Sequence, residues 1–284
     1  MKMDVASVFE RDRTIINREL DRALKFNREV PSRLARAMRY AALGPGKRIR
    51  PVLCIEAFRA AGGRQVRDVL PFCAGIEMIH AFSLAHDDLP SMDDDDFRRG
   101  RPSLHRKFDE ATAILAADGL FACAFEQFAL SPAPDSRRLA AITAICRAVG
   151  PAGMTGGQML DICSDAAGRG AGSLERMQEK KTAEFLAAAL VTGAIIGGAG
   201  TGELRRLRAA GLHLGALFQI TDDLIDAEQA SDERLATMVS RHGYDGALGR
   251  AAREAESARK LLASLGPGYR LLAGFPELLL HRES

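Results

Sequence analysis

Six aspartates fall within ten positions of the segment HAFSLAHDDLPSMDDDDFRRGR, which runs from residue 80 to residue 101. They are Asp87, Asp88, Asp93, Asp94, Asp95 and Asp96. Crowded carboxylates repel one another unless a cation lies among them, and sites made only of oxygen ligands suit Mg²⁺ or Ca²⁺. An EF-hand calcium loop is excluded because its sixth position, counted from Asp93, would be Arg98, where that loop needs glycine. The segment predicts a divalent-metal site of another kind.

The residues around this cluster predict how its carboxylates come together. An apolar helical stretch leads directly into Asp87 and Asp88, and Pro90 disfavours continuing the helix beyond them. We therefore expect the helix to end there and the chain to bring Asp93 back beside Asp87.

Three arginines, Arg98, Arg99 and Arg101, follow the aspartates immediately. Guanidinium groups match the geometry of phosphate oxygens. Carboxylates next to fixed guanidiniums indicate that the bound molecule is an anion bridged by metal.

A second acidic cluster lies in LFQITDDLID, residues 217–226. Gln219, Asp222, Asp223 and Asp226 stand at positions i, i+3, i+4 and i+7, so they share one stripe of a helix. Their apolar neighbours are Leu217, Phe218, Ile220, Leu224 and Ile225. A row of buried carboxylates is unfavourable unless it is paired or bound to metal. One such stripe is compatible with an internal salt-bridge face, but two acidic clusters, each carried by an apolar helix, favour a shared metal function.

The elements that carry these clusters are helical. Apolar residues recur at helical spacing in RLARAMRYAAL, and long Ala/Leu-rich stretches with few β-branched clusters follow. The breaks SPAPDS (131–136) and SDAAGRGAGS (164–173) have ordinary loop length. GGAGTGE (197–203) follows a helical stretch rather than a strand, which indicates a helix end and not a dinucleotide site. We predict an all-α fold, a single-domain antiparallel helical bundle over residues 1–284.

Composition narrows the function classes. The chain has 39 basic and 37 acidic residues, a net charge of +2, so no global field indicates a nucleic-acid partner. Five scattered cysteines without a C-x-x-C pair are typical of a reducing compartment, and the N-terminus lacks the apolar stretch of a secretory signal. No run of about 18 apolar residues occurs, so no membrane span is expected. We expect a cytoplasmic protein.

With these features in place, the sequence closely resembles the trans-isoprenyl diphosphate synthases, the family of farnesyl and geranylgeranyl diphosphate synthases. The resemblance runs from about residue 40 to residue 240. It is carried by GPGKRIRP (44–51), IHAFSLAHDDLPSMDDDDFRRGRPSLH (79–105), GGQMLD (156–161), KTAEFL (181–186) and FQITDDLID (218–226).

The resemblance implies an isoprenoid-synthase bundle with a central substrate cavity, usually a homodimer, that uses Mg²⁺ to condense isopentenyl diphosphate with an allylic diphosphate. It implies metal ligation by Asp87, Asp88, Asp93, Asp222, Asp223 and Asp226. It implies that the allylic substrate is held by Arg98, Lys181, Thr182 and Gln219. It implies that isopentenyl diphosphate is held by Lys47, Arg50, His80 and Arg99. In the family the released diphosphate is thought to take the final proton, so we expect His80 to be held by hydrogen bonds rather than to act as a base.

The residues before the first motif bear on product length. In the family they form a floor under the growing chain. The ring of Phe82, about 7.5 Å along the helix axis from Asp87, favours a fifteen-carbon product, whereas the small Ser83 leaves twenty carbons open.

One region departs from the family pattern. The family carries lysines after its second motif, but no lysine occurs here between Lys181 and Lys260, and Arg234 is the candidate substitute for one of them. Two alternatives therefore stay open beside an active synthase. One is a non-catalytic or weakly active subunit of a heteromeric prenyltransferase. The other is a class I terpene cyclase, although such enzymes carry a mixed Asn/Ser/Glu second motif instead of DDLID.

Overall fold

The structure is a computed structural model, and it describes residues 4–164, 171–229 and 238–281. Within these residues the chain is almost entirely helical, which confirms the predicted all-α class. The α-helices are α1 Val5–Ala23, α2 Ser32–Ala42, α3 Ile49–Ala60, α4 Leu70–Asp87, α5 Leu104–Lys107, α6 Glu110–Leu130, α7 Asp135–Val149, α8 Met154–Ser164, α9 Ala171–Gln178, α10 Glu184–Gly197, α11 Thr201–Gln229, α12 Met238–Ala263 and α13 Phe275–Leu280. A π-helical turn, Glu179–Ala183, joins α9 to α10.

The contacts divide the chain into two compact units. The N-terminal unit comprises Ser7–Ile55 and Gln65–Arg138, and the C-terminal unit comprises Met1–Ala6, Glu56–Arg64 and Leu139–Ser284. The single-domain organisation stays a prediction.

Helices α4 and α6 form the core of the N-terminal unit. Both are apolar on most faces, and they pack closely because Gly75 leaves room for the ring of Phe128, which would lie 2.3 Å from a Cβ at that position. Phe128 also stacks on Phe72 with ring centroids 5.0 Å apart. Helix α6 starts at Asp109, whose carboxylate accepts a hydrogen bond from the Thr112 amide at 2.6 Å. This packing fixes the position of α4, the helix that leads into the first acidic cluster.

A small hairpin follows α4. Strand β1 (Phe97–Arg98) pairs antiparallel with β2 (Arg101–Pro102). Arg99 and Gly100 between them both have positive φ, at 53° and 72°, the requirement of a two-residue type I′ turn. The sequence reading missed this hairpin, although the Arg-Gly pair was the available signal.

Helices α10, α11 and α12 form the core of the C-terminal unit. Helix α10 is mostly apolar and ends at Gly197, where Gly198 with a φ of 102° caps it, as predicted for the GGAGTGE segment. On α11, Gly211 and Gly215 let the backbone approach Ala187 and Ala183, whose Cα atoms would lie 2.5 and 2.4 Å from an added Cβ. This close approach brings the helix of the second acidic cluster against the π-helical turn.

Two helical stretches of the described chain, Glu110–Leu130 and Asp135–Cys163, are long and apolar enough to cross a membrane by length and composition alone. Buried core helices pass the same test. The absence of a membrane span stays a prediction.

Candidate active site

The first acidic cluster forms a tight loop at the end of α4. The helix ends at Asp87, and the backbone amide of Asp93 donates to the Asp87 carbonyl oxygen at 2.9 Å. The Asp94 amide donates to the Leu89 carbonyl oxygen at 3.1 Å, and Asp94 itself has a φ of 53°. Both expectations, the helix end and the return of Asp93 to Asp87, are confirmed.

Asp88 is the buried member of this loop, with 3% of its surface exposed. Arg98 from β1 donates to its Oδ1 from Nε at 2.8 Å and from Nη2 at 2.5 Å, and also to Asp95 Oδ2 at 2.6 Å. Burial raises the pKa of the Asp88 carboxyl, against the opposing effect of Arg98, and the charges of Asp95 and Asp93 raise it further. Arg98 therefore only partly offsets the cost of burying the ionised Asp88 carboxylate.

A basic cluster lies next to this loop in the same unit. Arg99 donates from Nη1 to the Pro45 carbonyl oxygen at 2.8 Å, and its Nη2 lies 3.1 Å from His80 Nε2. Because a guanidinium can only donate, His80 Nε2 must accept and the ring proton belongs on Nδ1. Burial holds the pKa of His80 well below its usual value, and the charges of Arg50, Arg99, Arg48 and Arg98 lower it further. His80 is therefore neutral and does not act as an acid. Together with the surrounding guanidiniums it forms a surface that suits an anion.

This depressed pKa has a consequence for stability. The unfolded chain protonates His80 near pH 6.5, whereas the folded chain resists protonation. The stabilisation from neutral His80 is therefore present above pH 6.5 and lost as the pH falls below it, by at most about 1.4 kcal/mol per pH unit. Urea unfolding between pH 7.5 and 5 should show this slope in the wild type and a reduced slope in His80→Gln. Equal slopes in the two proteins would contradict the assignment.

The C-terminal unit carries the remaining candidate residues around the π-helical turn. Thr182 Oγ1 donates to Gln219 Oε1 at 3.2 Å, and Gln219 Nε2 donates to Asp223 Oδ1 at 3.1 Å. Lys181 Nζ donates to Asp161 Oδ2 at 2.9 Å. π-Helical turns are frequent at functional sites because they change the direction of side chains within a helix. The structure thus joins Thr182, Gln219 and Asp223 by hydrogen bonds, while Lys181 on the same turn is paired with Asp161.

The α11 stripe grades from buried to exposed. Asp223 is 6% exposed, Asp222 is half-buried, and Asp226 is exposed. Asp87, Asp88 and Asp93 belong to the N-terminal unit, and the α11 aspartates belong to the C-terminal unit. Arg234 lies outside the described residues.

The donor chemistry of the aspartates fits a divalent cation such as Mg²⁺. Only oxygen ligands are offered, and burial raises the pKa of the Asp88 carboxyl, so a cation beside its ionised form would be favourable. Among the described residues, no group of three or more His, Cys, Asp or Glu side chains is arranged so that it could hold a metal ion by itself. Mg²⁺ commonly binds through one or two carboxylates together with substrate phosphates, so a dedicated protein cage is not required.

Two features were missed by sequence reasoning. Asp161, the partner of Lys181, is the last residue of GGQMLD, a segment that carried part of the resemblance. The motif was therefore recognised, but the pairing of Asp161 with Lys181 was not. The buried pair of Arg48 and Glu77 gave no signal in spacing, because 29 positions separate its members.

Phe82 belongs to an aromatic cluster shared by α4 and α6. Its ring centroid lies 4.9 Å from that of Phe121 and 4.7 Å from that of His86, and Phe121 contacts Phe125 at 5.0 Å. Ser83 Oγ donates to the His80 carbonyl oxygen at 3.0 Å. The candidate floor is therefore an aromatic wall built from two helices.

Comparison with known proteins shows which sequences and solved structures the chain resembles. The polyprenyl synthetase family model matches residues 31–236. The chain is 41% identical over 226 residues to the heterodimeric geranylgeranyl pyrophosphate synthase large subunit 1 of Arabidopsis thaliana, which covers 77% of this chain and 60% of that protein. It is 43% identical over 208 residues to a farnesyl diphosphate synthase of Geobacillus stearothermophilus, which covers 72% of this chain and 70% of that protein.

A solved apo structure of an FPP/GFPP synthase from Zymomonas mobilis has a TM-score of 0.88 and 35% identity, covering 97% of this chain and 98% of that one. The chain spans about 60% of the length of the plant relatives that it matches. The extent of the family match and these identities lead to one conclusion: the chain belongs to the polyprenyl synthetase family.

Proposed function

We propose that this chain is a short-chain trans-prenyl diphosphate synthase that uses Mg²⁺ to join isopentenyl diphosphate to an allylic diphosphate, giving farnesyl or geranylgeranyl diphosphate. One observation carries the proposal: a loop of carboxylates suited to metal, with Asp88 buried in it, lies beside a cluster of guanidiniums around a neutral histidine. A metal-bridged anion and a second anion can then bind next to each other. The relatives are named as a geranylgeranyl pyrophosphate synthase and a farnesyl diphosphate synthase, which supports the proposed reaction.

The reaction breaks the bond between the allylic carbon and its diphosphate oxygen, and the electron pair leaves with the oxygen. The double bond of isopentenyl diphosphate would then attack the carbocation that remains, and the released diphosphate would take the proton whose loss restores a double bond. Mg²⁺, when bound by the aspartates, would offset the charge that develops on the leaving diphosphate. Lys181 and Arg98 would donate to oxygens of the allylic diphosphate, and the Thr182 hydroxyl and the Gln219 amide would also bind the allylic substrate.

Arg98 supports this assignment through its present contacts. Its guanidinium is shared between Asp88 and Asp95, both carboxylates of the candidate metal loop. A cation on these carboxylates would replace Arg98 as their counter-charge, which would leave the guanidinium available for the diphosphate.

The second diphosphate would bind to Lys47, Arg50, His80 and Arg99. The hydrogen bond from Arg99 leaves the His80 ring with a single N–H donor at Nδ1, so His80 can orient a phosphate oxygen but has no proton-accepting nitrogen to spare. This supports the expectation that the protein provides no base here.

The direct test is an assay of the purified chain with Mg²⁺, isopentenyl diphosphate, and dimethylallyl, geranyl or farnesyl diphosphate in turn. We expect linear products of fifteen or twenty carbons. Cyclic or hydrolysed products formed without isopentenyl diphosphate would favour a terpene cyclase. Absence of turnover by the chain alone, restored by a partner, would favour a subunit of a heteromeric enzyme, as the name of the Arabidopsis relative describes for that protein.

Phe82 should limit product length. Removing its ring in Phe82→Ala opens the aromatic wall at Phe121, so we expect the main product to lengthen by at least one five-carbon unit. Chromatography of the dephosphorylated products measures this. Phe97→Ala, which removes a ring that is 68% exposed on the hairpin, is the matched control and should leave the product length unchanged. No lengthening in Phe82→Ala would remove Phe82 as the floor.

We further propose that the chain forms a homodimer. Helix α6 is strongly apolar, yet Leu115 and Leu130 are 61% and 63% exposed on it, and Ile114 is 42% exposed. Such a helix surface is expected to be covered by protein. Sedimentation equilibrium should give twice the chain mass, and Leu115→Glu should shift the equilibrium towards monomer.

The cytoplasmic location stays a proposal that rests on the five free thiols.

A further inference from the structure

A buried ion pair joins the loop before α3, residues 44–48, to α4 in the N-terminal unit. Arg48 Nη1 contacts Glu77 Oε1 at 2.6 Å, and the two side chains are only 5% and 4% exposed. Burying two charges is unfavourable unless their hydrogen bonds are complete, so a buried ion pair is weak evidence for a purely stabilising role. The proposed function gives neither residue a role, so the pair calls for another explanation.

The guanidinium of Arg48 binds the loop at several points. Its Nη2 donates to the carbonyl oxygens of Gly44 at 2.8 Å and Ala42 at 3.2 Å, and its Nε donates to Asn17 Oδ1 at 2.9 Å. Arg48 itself has a φ of 57°, a backbone conformation that is uncommon outside glycine. One side chain thus fixes the path of the loop just before α3 begins.

The same loop is fastened to the groups that would hold the second diphosphate. A Cβ on Gly46 would lie 2.5 Å from Arg99 Nη1 and 2.7 Å from Arg48 Nη1, so the loop fits tightly around both guanidiniums. Arg99 donates to the Pro45 carbonyl oxygen and contacts His80, which follows Glu77 by one helical turn on α4. A shift of the pair would therefore change the distances between the proposed anion-binding groups on the loop, on the hairpin and on α4.

We propose that Arg48 and Glu77 are positioning residues for isopentenyl diphosphate: they do not touch it, but they set the spacing of Lys47, Arg50, Arg99 and His80, which do. The inference rests on the proposed function of those four residues. Loss of the pair should weaken binding of isopentenyl diphosphate and not binding of the allylic substrate. Arg98 and Lys181, which would bind the allylic substrate, are held by other partners, Asp88 and Asp161.

The principal test is Glu77→Gln, which keeps the side-chain volume and an oxygen acceptor but removes the charge that holds Arg48. Because small displacements of binding groups have large effects, we expect the Kd and KM for isopentenyl diphosphate to rise by about tenfold or more. The KM for the allylic diphosphate should change by less than about threefold, since its groups are held elsewhere. Glu56→Gln is the matched control, because Glu56 is also a buried glutamate that pairs with an arginine, Arg59, and it should affect neither substrate selectively.

Two further variants guard against a folding defect. Asn17→Ala removes one hydrogen bond to Arg48 from an exposed position, and it should weaken isopentenyl diphosphate binding by about threefold without unfolding the chain. Arg48→Met combined with Glu77→Leu removes both charges together, and it should fold yet show the same selective loss.

The outcomes separate the two proposals. Wild-type protein that does not bind isopentenyl diphosphate would overturn both the proposed function and this inference. Wild-type binding with unchanged or equally weakened affinity for both substrates in Glu77→Gln and Asn17→Ala would overturn the positioning role alone.

Discussion

Replacing Asp88 with asparagine is expected to lower kcat/KM by about a thousandfold, the size of effect seen when one preorganised electrostatic group is lost from an active site. Asp88 is buried, and its two hydrogen bonds from Arg98 fix both the carboxylate and the guanidinium that would contact the diphosphate. Asparagine has nearly the same shape but lacks the charge that a divalent cation requires. Steady-state kinetics at saturating Mg²⁺ would measure the loss.

The same variant should not be less stable. Burial raises the pKa of the Asp88 carboxyl, so at neutral pH its ionised form is disfavoured in the folded state relative to the unfolded chain. Removing that charge should leave the Tm of the metal-free protein unchanged or raise it. Asp96→Asn is the control, because Asp96 belongs to the same loop but is exposed and pairs with Arg106 at 2.9 Å. More than a tenth of wild-type activity in Asp88→Asn would contradict the role of Asp88.

Replacing Gly157 with alanine is expected to disturb the other half of the candidate site. A Cβ at this position of α8 would lie 2.3 Å from the Lys181 amide nitrogen and 2.7 Å from its Cα, both backbone atoms of the π-helical turn. The helix and the turn must therefore separate, which moves Lys181 and Thr182. We expect kcat/KM to fall by about a hundredfold and the free energy of unfolding to fall by about 1–3 kcal/mol.

Gly202→Ala provides the comparison for that variant. Gly202 lies in the first turn of α11 with no heavy atom within 4 Å of an added Cβ. Alanine there should leave activity unchanged and stabilise the chain slightly, because glycine is the poorer helix former. Equal effects of the two substitutions on kinetics and on urea unfolding would show that the contact between α8 and the turn has no special role.

The sequence was sufficient where local chemistry decides the structure. Pro90 predicted the end of α4 at Asp87 and the return of Asp93, because a proline excludes helical continuation within a few residues. The stripe from Gln219 to Asp226 predicted one helical face, because helical spacing alone determines which residues share it.

The sequence was insufficient where distant segments decide the structure. Helical periodicity at Glu179–Ala183 does not distinguish a π-helical turn from an α-helix, since the extra residue is accommodated by packing on α8 through Gly157. The contact of Arg48 with Glu77 and that of Lys181 with Asp161 each join positions at least 20 residues apart. Pairing of that kind depends on how helices pack, which spacing along the chain does not encode.

The proposed function requires that the aspartates of each motif hold a divalent cation that also binds a diphosphate, and diffraction tests this most directly. Crystals grown with Mn²⁺ and an unreactive thiolo analogue of dimethylallyl diphosphate would locate the metals by anomalous scattering. We expect metal within about 2.5 Å of a carboxylate oxygen of Asp87 or Asp88, and likewise of Asp222 or Asp223, in each case with a diphosphate oxygen among the ligands. Metal at only one motif, or metal without a diphosphate oxygen among its ligands, would contradict the proposal.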